Sequence, residues 1–323
     1  MPEVRINARL LKEFETGLNP RFPERSLIPA RVLDYGEIST VLEIGVESER
    51  ELAYKRLPMF RTEEEAKSYQ TLYNEYVGIL QDRIGLQVVP GDTIRLADKG
   101  RFVVYIVQEK LRREAIGHRA IHRLAPTEVK RLILAVLREI GKVFAFNQTH
   151  QGKLEIGFDG QISNWVIVGF DPEAPRLREE IELMYFDTST PLLRKNGEEQ
   201  LDPELFLRSA PSFLVWIIRL LFLQDVMTRY YDFRRVVVDL IANFYKEQRP
   251  DLIPGVVDTV NEFCSAGIQA GNFKPITVEE VRAYYREDAW IWRIYLAFRK
   301  ADRSLHRVLG REYPYILPEK IRR

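Results

Sequence analysis

The sequence predicts an α+β fold in which a small β-rich part containing one helix precedes a larger helical part. Alternating apolar and polar residues separated by turn residues dominate positions 30–108. Apolar residues at helical spacing dominate after residue 112. The 323 residues are 46% apolar and 29% charged, an ordinary globular composition from which a sizeable core is expected.

The β-rich part is predicted to have the order β-β-β-α-β-β. Five segments have the character of strands: residues 31–35, 40–44, 51–57, 93–96 and 101–107. Pro58 is expected to end the third strand, because proline has no N–H for the strand ladder. Thr62 followed by Glu65 forms a capping box that predicts the start of the helix. Residues 1–29 are expected to be an extension with one short helix around residues 8–14.

Helices are predicted for most of the chain beyond residue 112. The predicted segments are residues 126–144, 202–209, 212–231, 233–247, 253–265 and 277–308. A strand pair is expected at residues 161–170 and 182–186, with a charged loop at 171–180 between them. The apolar run at 213–223 contains Arg219 and is too short to span a bilayer. A buried helix is the first interpretation of this run, a membrane-surface helix is the alternative, and no membrane span is expected.

Charge and cysteine content narrow the class of protein. The formal net charge is +1, from 48 basic and 47 acidic side chains. A dedicated nucleic-acid binder usually carries a basic excess, so this balance disfavours one, although a local basic patch remains compatible with it. Cys264 is the single cysteine, which excludes an intrachain disulfide and a zinc site built from several thiolates. Together with an N-terminus that lacks the pattern of a secretory signal, this favours a cytoplasmic protein.

Five polar residues stand at chemically suggestive places along the predicted elements. Lys55 lies on the third strand, in Leu-Ala-Tyr-Lys, and Glu75 lies between aromatic residues in the following helix. Asp159 and Asn164 form the spacing D-x-x-x-x-N immediately before an apolar strand. Asp187 ends the next apolar strand, in Leu-Met-Tyr-Phe-Asp. Carboxylate and amide oxygens are the hard ligands that Mg²⁺ prefers.

In this order, the residues and their elements resemble the protein-kinase-like superfamily. The resemblance covers about residues 30–230 and is strongest to the small-molecule branch, typified by aminoglycoside phosphotransferases and choline kinases. It implies a two-lobed protein-kinase-like fold with an N-terminal extension at 1–29, a nucleotide-binding lobe at 30–110 and a helical catalytic and acceptor-binding lobe at 111–323. The implied activity is ATP-dependent phosphoryl transfer to a hydroxyl, with a small-molecule acceptor.

The resemblance also implies a role for each of the five residues. Lys55 would hold the α- and β-phosphates of ATP, and Glu75 would pair with Lys55 to fix its direction. Asp159 would orient the attacking hydroxyl of the acceptor. Asn164 and Asp187 would bind Mg²⁺.

Two further segments are expected to contact the nucleotide. The turn after the first strand carries Gly36, Ser39 and Thr40, whose hydroxyls and backbone N–H groups could meet phosphate. Gln108 and Glu109 follow the fifth strand, where the resemblance places the backbone groups that bind the adenine edge. Only position along the chain supports this second expectation.

Several departures from the family pattern keep other interpretations open. The phosphate turn has one glycine instead of three, Gly157 stands where the family usually has histidine, and no A-P-E segment is present. A pseudokinase, which presents a surface without catalysis, is therefore the main alternative, and an unrelated α+β protein is the weaker one. His118 and His122 are one helical turn apart, but they lack a third ligand, so solvated helix histidines are the favoured interpretation.

Overall fold

The computed structural model describes residues 4–36, 38–208, 228–266 and 273–318. Within these residues, five strands form an antiparallel sheet in the order β1-β2-β3-β5-β4. Their bounds are β1 Ala30–Tyr35, β2 Thr40–Ile44, β3 Leu52–Phe60, β4 Gly91–Asp98 and β5 Arg101–Glu109. The predicted order β-β-β-α-β-β is confirmed. Most of the helix predicted at 212–231, including the apolar run at 213–223, lies outside the described residues.

Turn chemistry and a bulge account for the connections and lengths of these strands. Lys99 and Gly100, both with positive φ (47° and 77°), join β4 to β5 in a two-residue hairpin. The prediction that Pro58 ends the third strand is wrong, because β3 continues to Phe60. The pairing of β3 with β5 shifts register between Leu57 and Phe60. This irregularity accommodates a residue that cannot donate to the ladder.

Most helices of the described residues lie where the periodicity predicts them, although the short helix at Gly117–Ala120 was not predicted and the helix predicted at 202–209 covers only Glu204–Leu207. They are α1 Ala8–Thr16, α2 Glu63–Gly78, α3 Gly117–Ala120, α4 Pro126–Thr149, α5 Glu204–Leu207, α6 Phe233–Lys246, α7 Ile253–Ala266 and α8 Val278–Val308. Thr62 caps α2 by accepting a hydrogen bond from the backbone N–H of Glu65 at 3.2 Å. The Glu65 carboxylate also accepts a hydrogen bond from the backbone N–H of Arg61 at 2.8 Å, one residue ahead of the cap. None of these helices is both long and apolar enough to cross a membrane.

Short strands complete the structure beside the helices. The strands are β6 Leu154–Ile156, β7 Trp165–Ile167, β8 Leu183–Tyr185, β9 Leu193–Lys195 and β10 Glu198–Glu199. The predicted strand pair around the charged loop corresponds to β7 and β8, which pair antiparallel and are shorter than expected. Strands β6, β9 and β10 form a separate small sheet.

The two faces of the five-stranded sheet belong to different apolar cores. Leu57, Val104 and Ile106 lie on one face and pack into the core that contains α2, α4 and α6. Leu42 and Tyr54 lie on the opposite face, which is covered by α1. Because side chains alternate along a strand, each residue of the sheet can be assigned to one face from its register.

A buried ion pair fastens α1 to the face that it covers. Arg56 donates to both carboxylate oxygens of Glu15, at 2.8 and 2.5 Å, and Tyr105 donates to the same carboxylate. Arg56 also donates to the carbonyl of Pro314 at 2.7 Å. The C-terminal segment that follows α8 is thereby held against the same face, where Ile316 is buried.

Candidate functional site

Lys55 and Asp187, which are 132 positions apart, are in direct contact. The ammonium of Lys55 lies 2.6 Å from Oδ1 of Asp187 and 3.0 Å from Oγ of Ser189. Ser189 in turn donates to Oδ1 of Asp187 at 2.9 Å. Burial alone would raise the pKa of Asp187, but the charge of Lys55 and hydrogen bonds from Lys55 and Ser189 hold this pKa below its ordinary value.

The register of β3 shows which face of the sheet this contact occupies. Lys55 is paired with Val41 on β2 and with Ile106 on β5, so its side chain lies on the inner face, toward the larger core. Gln108 is two residues beyond Ile106 on β5 and lies on the same face. Its amide nitrogen is 3.4 Å from the carbonyl of Phe186, next to Asp187. Glu109 is exposed and lies on the opposite face.

Asn164 and Asp187 emerge at the same end of the hairpin formed by β7 and β8. Trp165 is paired with Tyr185, and the N–H of Phe186 donates to the carbonyl of Asn164 at 3.1 Å. The Asn164 side-chain nitrogen donates to the carbonyl of Asp159 at 3.1 Å, so the same asparagine also holds the preceding loop. Among the described residues, the hydrogen-bond partner of Asn164 Oδ1 is the hydroxyl of Ser163, at a long 3.5 Å. The amide oxygen is therefore the end of this side chain that remains available to a cation.

Asp159 is the acidic group whose ionisation is most perturbed at this site. Burial, followed by the negative charges of Asp239 and Asp187, raises the pKa of Asp159 to about 7. A hydrogen bond from the backbone N–H of Gln161, at 3.1 Å, acts in the opposite direction. Asp159 is therefore poised to exchange a proton near neutral pH.

A stripe of tyrosines on α2 anchors the segments that carry these residues. Tyr69 donates to the carbonyl of Ser189 at 2.7 Å, and Thr188 donates to the hydroxyl of Tyr73 at 3.2 Å. Tyr76 donates to the carbonyl of Gly157 at 3.1 Å. These tyrosines are spaced by four and three residues and therefore share one helical face. They hold the segment that immediately follows Asp187 and the backbone just ahead of Asp159.

Glu75 does not make the expected ion pair with Lys55. Its carboxylate binds Lys195 on β9 at 2.8 Å, with both side chains about 40% exposed (38% and 41%). The buried face of α2 that meets the Asp187 segment is occupied by tyrosines, so Glu75 points elsewhere. The pairing that the resemblance implied is therefore wrong for this structure, and Lys55 is oriented by Asp187 and Ser189 instead.

Thr40 also lies away from the side of the sheet that carries Lys55. Thr40 is paired with Arg56, which belongs to the face covered by α1, and its hydroxyl bonds the carbonyl of Ile316 at 3.4 Å. The expectation that this hydroxyl meets phosphate is therefore wrong, since the sheet separates it from Lys55. Within the same turn, the N–H of Gly36 donates to the carbonyl of Ser39 at 3.0 Å. Ser39 is buried and lies immediately before β2.

The side chains available for a metal ion are few. Among the described residues, no group of three or more His, Cys, Asp or Glu side chains is arranged to hold a metal. The expectation of solvated helix histidines is wrong for His118, whose Nδ1 is buried, and His122 is exposed but lies beyond the end of α3 at Ala120. Asn164 and Asp187 offer an amide and a carboxylate oxygen from adjacent strand ends. This hard donor set fits Mg²⁺ whose remaining ligands come from phosphate and water.

No sequence motif indicates the residues that surround Asp159 from the helical side. Gln161 donates to Asp239 of α6 at 2.9 Å and accepts from Asn243 at 3.1 Å. Asp239 lies among the buried apolar residues of α6. An acidic residue inside an apolar stretch of a helix is the sequence signal that could have indicated a functional role. Its significance depends on contact with a loop that is 78 positions away, which spacing alone does not encode.

The fold and the site define an α+β protein with a lysine–aspartate pair beside a buried, perturbed aspartate. Residues 42–303 match the model of a family described as "Family of unknown function (DUF6206)". Because this match spans most of the chain, the protein belongs to that family. No curated protein matches the chain.

One solved structure that is similar to this chain is described as "WaaP in complex with acyl carrier protein". The identity is 16% and the TM-score is 0.32, with 79% of this chain and 99% of that chain covered. A TM-score of this size does not establish a shared fold or activity. The residues of this chain therefore carry the proposal that follows.

Proposed function

We propose that the protein is an ATP- and Mg²⁺-dependent phosphotransferase of kinase-like fold that acts on a hydroxyl of a small-molecule acceptor. The observation that carries this proposal is the 2.6 Å contact between Lys55 and Asp187, with Asn164 at the same hairpin end. Phosphoryl transfer requires a cation for the phosphates and hard oxygen ligands for the metal at one place. These three side chains supply both.

In this proposal the sheet and the helical part bind different reactants. Residues 30–110 hold the nucleotide, and residues 111–323 carry the loop with Asp159 and the acceptor. Lys55 binds the phosphates from the inner face of the sheet. Gln108 lies at the end of β5, 3.4 Å from the carbonyl of Phe186 next to Asp187. In the proposal, Gln108 and the backbone at Glu109 would meet the base.

Asp159 is assigned the role of orienting and deprotonating the acceptor hydroxyl. A carboxylate with a pKa of about 7 can accept a proton and still be substantially ionised at neutral pH. Its position is fixed by Gln161 from one side and by Asn164 through the backbone carbonyl. Magnesium-bound ATP supplies the phosphoryl group, while these side chains provide positioning and charge.

Replacing Asp159 by asparagine tests this assignment. Turnover of ATP in the presence of Mg²⁺ and a panel of hydroxyl compounds should be lost in Asp159→Asn, because the amide cannot accept the proton. Nucleotide binding, measured by calorimetry, should be retained, since Lys55 and Asp187 are unchanged.

The matched control is Asp258→Asn, which removes a carboxylate of the same size from the exposed surface of α7. This variant should turn over ATP at the wild-type rate. Equal activity in Asp159→Asn and the wild type would refute the role given to Asp159.

A further inference from the structure

A short basic segment lies between the five-stranded sheet and the helical part. Residues 110–123 contain five lysines and arginines and a single acidic residue, Glu114, although the whole chain has 48 basic and 47 acidic side chains. Arg113 and Arg119 are exposed and make no ion pair within the part of the chain that the structure describes. This local excess of positive charge is not used by the proposed nucleotide site.

The basic segment packs directly against the loop that carries Asp159 and Asn164. Ile116 forms an isolated bridge with Val166 on β7. Gly117 approaches the loop so closely that a Cβ atom there would lie 2.4 Å from the carbonyl oxygen of Ile162. A side chain at this position would therefore push α3 away from the loop. The glycine keeps α3, which carries Arg119, beside the loop of the proposed site of hydroxyl activation.

Lys246, at the end of α6, joins these cations to the site. Its ammonium lies 3.4 Å from Oε1 of Gln161, whose backbone N–H donates to Asp159 at 3.1 Å. The charge of Lys246 also acts to lower the pKa of Asp159. Lys246 is thus the link between the buried carboxylate and the surface of α3.

The environment of His118 indicates that Arg113, Arg119 and Lys246 lie near one another, around this histidine. Burial, followed by the charges of Arg119, Lys246 and Arg113, lowers the pKa of His118 to about 3. Nδ1 of this neutral imidazole is buried and has no hydrogen-bond partner among the described residues. Two acids on elements packed nearby have other partners, because Asp239 bonds Gln161 and Asp251 bonds Arg249, whereas Glu114 of the basic segment is exposed.

We propose that the acceptor carries a phosphate monoester, which Arg113, Arg119 and Lys246 bind beside Asp159. This proposal rests on the proposed function, because it places the phosphate near the hydroxyl that Asp159 activates. Arg113, Arg119 and Lys246 make no ion pair among the residues that the structure describes, and three such cations suit a doubly charged phosphate better than they suit a singly charged carboxylate ligand. A nucleic acid is less well matched, since the basic segment is short and the chain as a whole is nearly neutral.

The test is a calorimetric titration of the full chain with matched pairs of compounds, in the absence of nucleotide. The pairs are glycerol and glycerol 3-phosphate, glucose and glucose 6-phosphate, and inositol and inositol 1-phosphate. At least one phosphorylated member should bind more tightly than its neutral partner, with an affinity that falls as salt rises. Because ATP is omitted, this result does not depend on whether the protein transfers phosphate.

Substitutions of the three cations test where the phosphorylated compound binds. The double variant Arg113→Gln/Arg119→Gln and the single variant Lys246→Gln should each weaken binding of the phosphorylated compound by at least about tenfold. The matched control is Lys67→Gln, which removes a charge from the exposed surface of α2. It should change the affinity by less than about twofold.

Three outcomes would overturn the proposal. The first is equal binding, or no binding, of the phosphorylated and neutral members of every pair. The second is unchanged affinity in the Arg113→Gln/Arg119→Gln variant, which would place the anion elsewhere, for example at Lys55. The third is a preference for oligonucleotides that strengthens with their length, which would assign the basic segment to a nucleic acid.

Discussion

Replacing Arg56 by methionine is expected to destabilise the protein strongly, because it leaves a buried carboxylate without its cation. The side chains of Arg56 and Glu15 are only 4% and 2% exposed. Two hydrogen bonds at 2.8 and 2.5 Å join them, and in the variant Tyr105 is the donor that the Glu15 carboxylate retains among the described residues. Breaking a buried ion pair from one side typically costs about 3–5 kcal/mol, and this estimate applies here.

The double variant Glu15→Met/Arg56→Met should recover part of this loss. It removes both charges and fills the space with apolar atoms, which is often nearly neutral for a buried pair. The hydroxyl of Tyr105 and the carbonyl of Pro314 still lose a partner, so a residual cost of about 1–3 kcal/mol is expected. The double variant should therefore be more stable than Arg56→Met alone.

The assay is urea denaturation followed by circular dichroism, with Arg31→Met as the matched control. Arg31 binds Glu43 at 2.9 Å on the same sheet, but its side chain is 65% exposed, so this change should cost less than about 1 kcal/mol. A similar loss in Arg56→Met and Arg31→Met would refute the reasoning, as would a double variant less stable than Arg56→Met.

Three further predictions concern pH and the acidic side chains. Burial is the largest single influence on the Glu15 pKa and raises it, but the charge of Arg56 and the hydrogen bonds from Arg56 and Tyr105 together hold this pKa below its ordinary value. The stabilisation by ionised Glu15 should therefore be complete above pH 4.5 and be lost as pH falls below this value, measured by urea denaturation at several pH values. Since Asp159 must be ionised to accept a proton, the rate of phosphoryl transfer should rise with pH through about 7. Asp239→Asn removes a negative charge that raises the pKa of Asp159, so this rise should move to lower pH. An unchanged pH profile would contradict the influence of Asp239 on Asp159. Glu75→Gln removes only a half-exposed pair with Lys195, so activity should stay within about twofold of wild type, whereas a large loss would restore the expected role of Glu75 beside the phosphate-binding lysine.

Secondary structure was largely predictable because it depends on local pattern. The alternation in Thr40–Ile44 and the helical stripe after Pro126 each identify one element without knowledge of its neighbours. Pro58 misled the prediction, since its tolerance within β3 depends on a register shift against β5. Whether a proline interrupts a strand is decided by the partner strand, which the local sequence does not specify.

The site was predictable only where order along the chain implies proximity. Lys55 and Asp187 were selected because each occupies an expected place on an expected element, and the structure brings them into contact. The partner of Glu75 and the face of Thr40 were not predictable in this way. Each depends on the packing of one element, because rotating a helix or shifting a strand by one residue redirects a side chain.

The central claim, that Lys55, Asn164 and Asp187 form a site for a nucleotide and its metal, is tested most directly by the metal dependence of nucleotide binding. A non-hydrolysable ATP analogue should bind the wild-type protein in calorimetry, and Mg²⁺ should strengthen this binding. In Asp187→Asn, which preserves the size of the side chain, the effect of Mg²⁺ should disappear. Absence of binding to the wild-type protein, or an equal effect of Mg²⁺ on both proteins, would contradict the account.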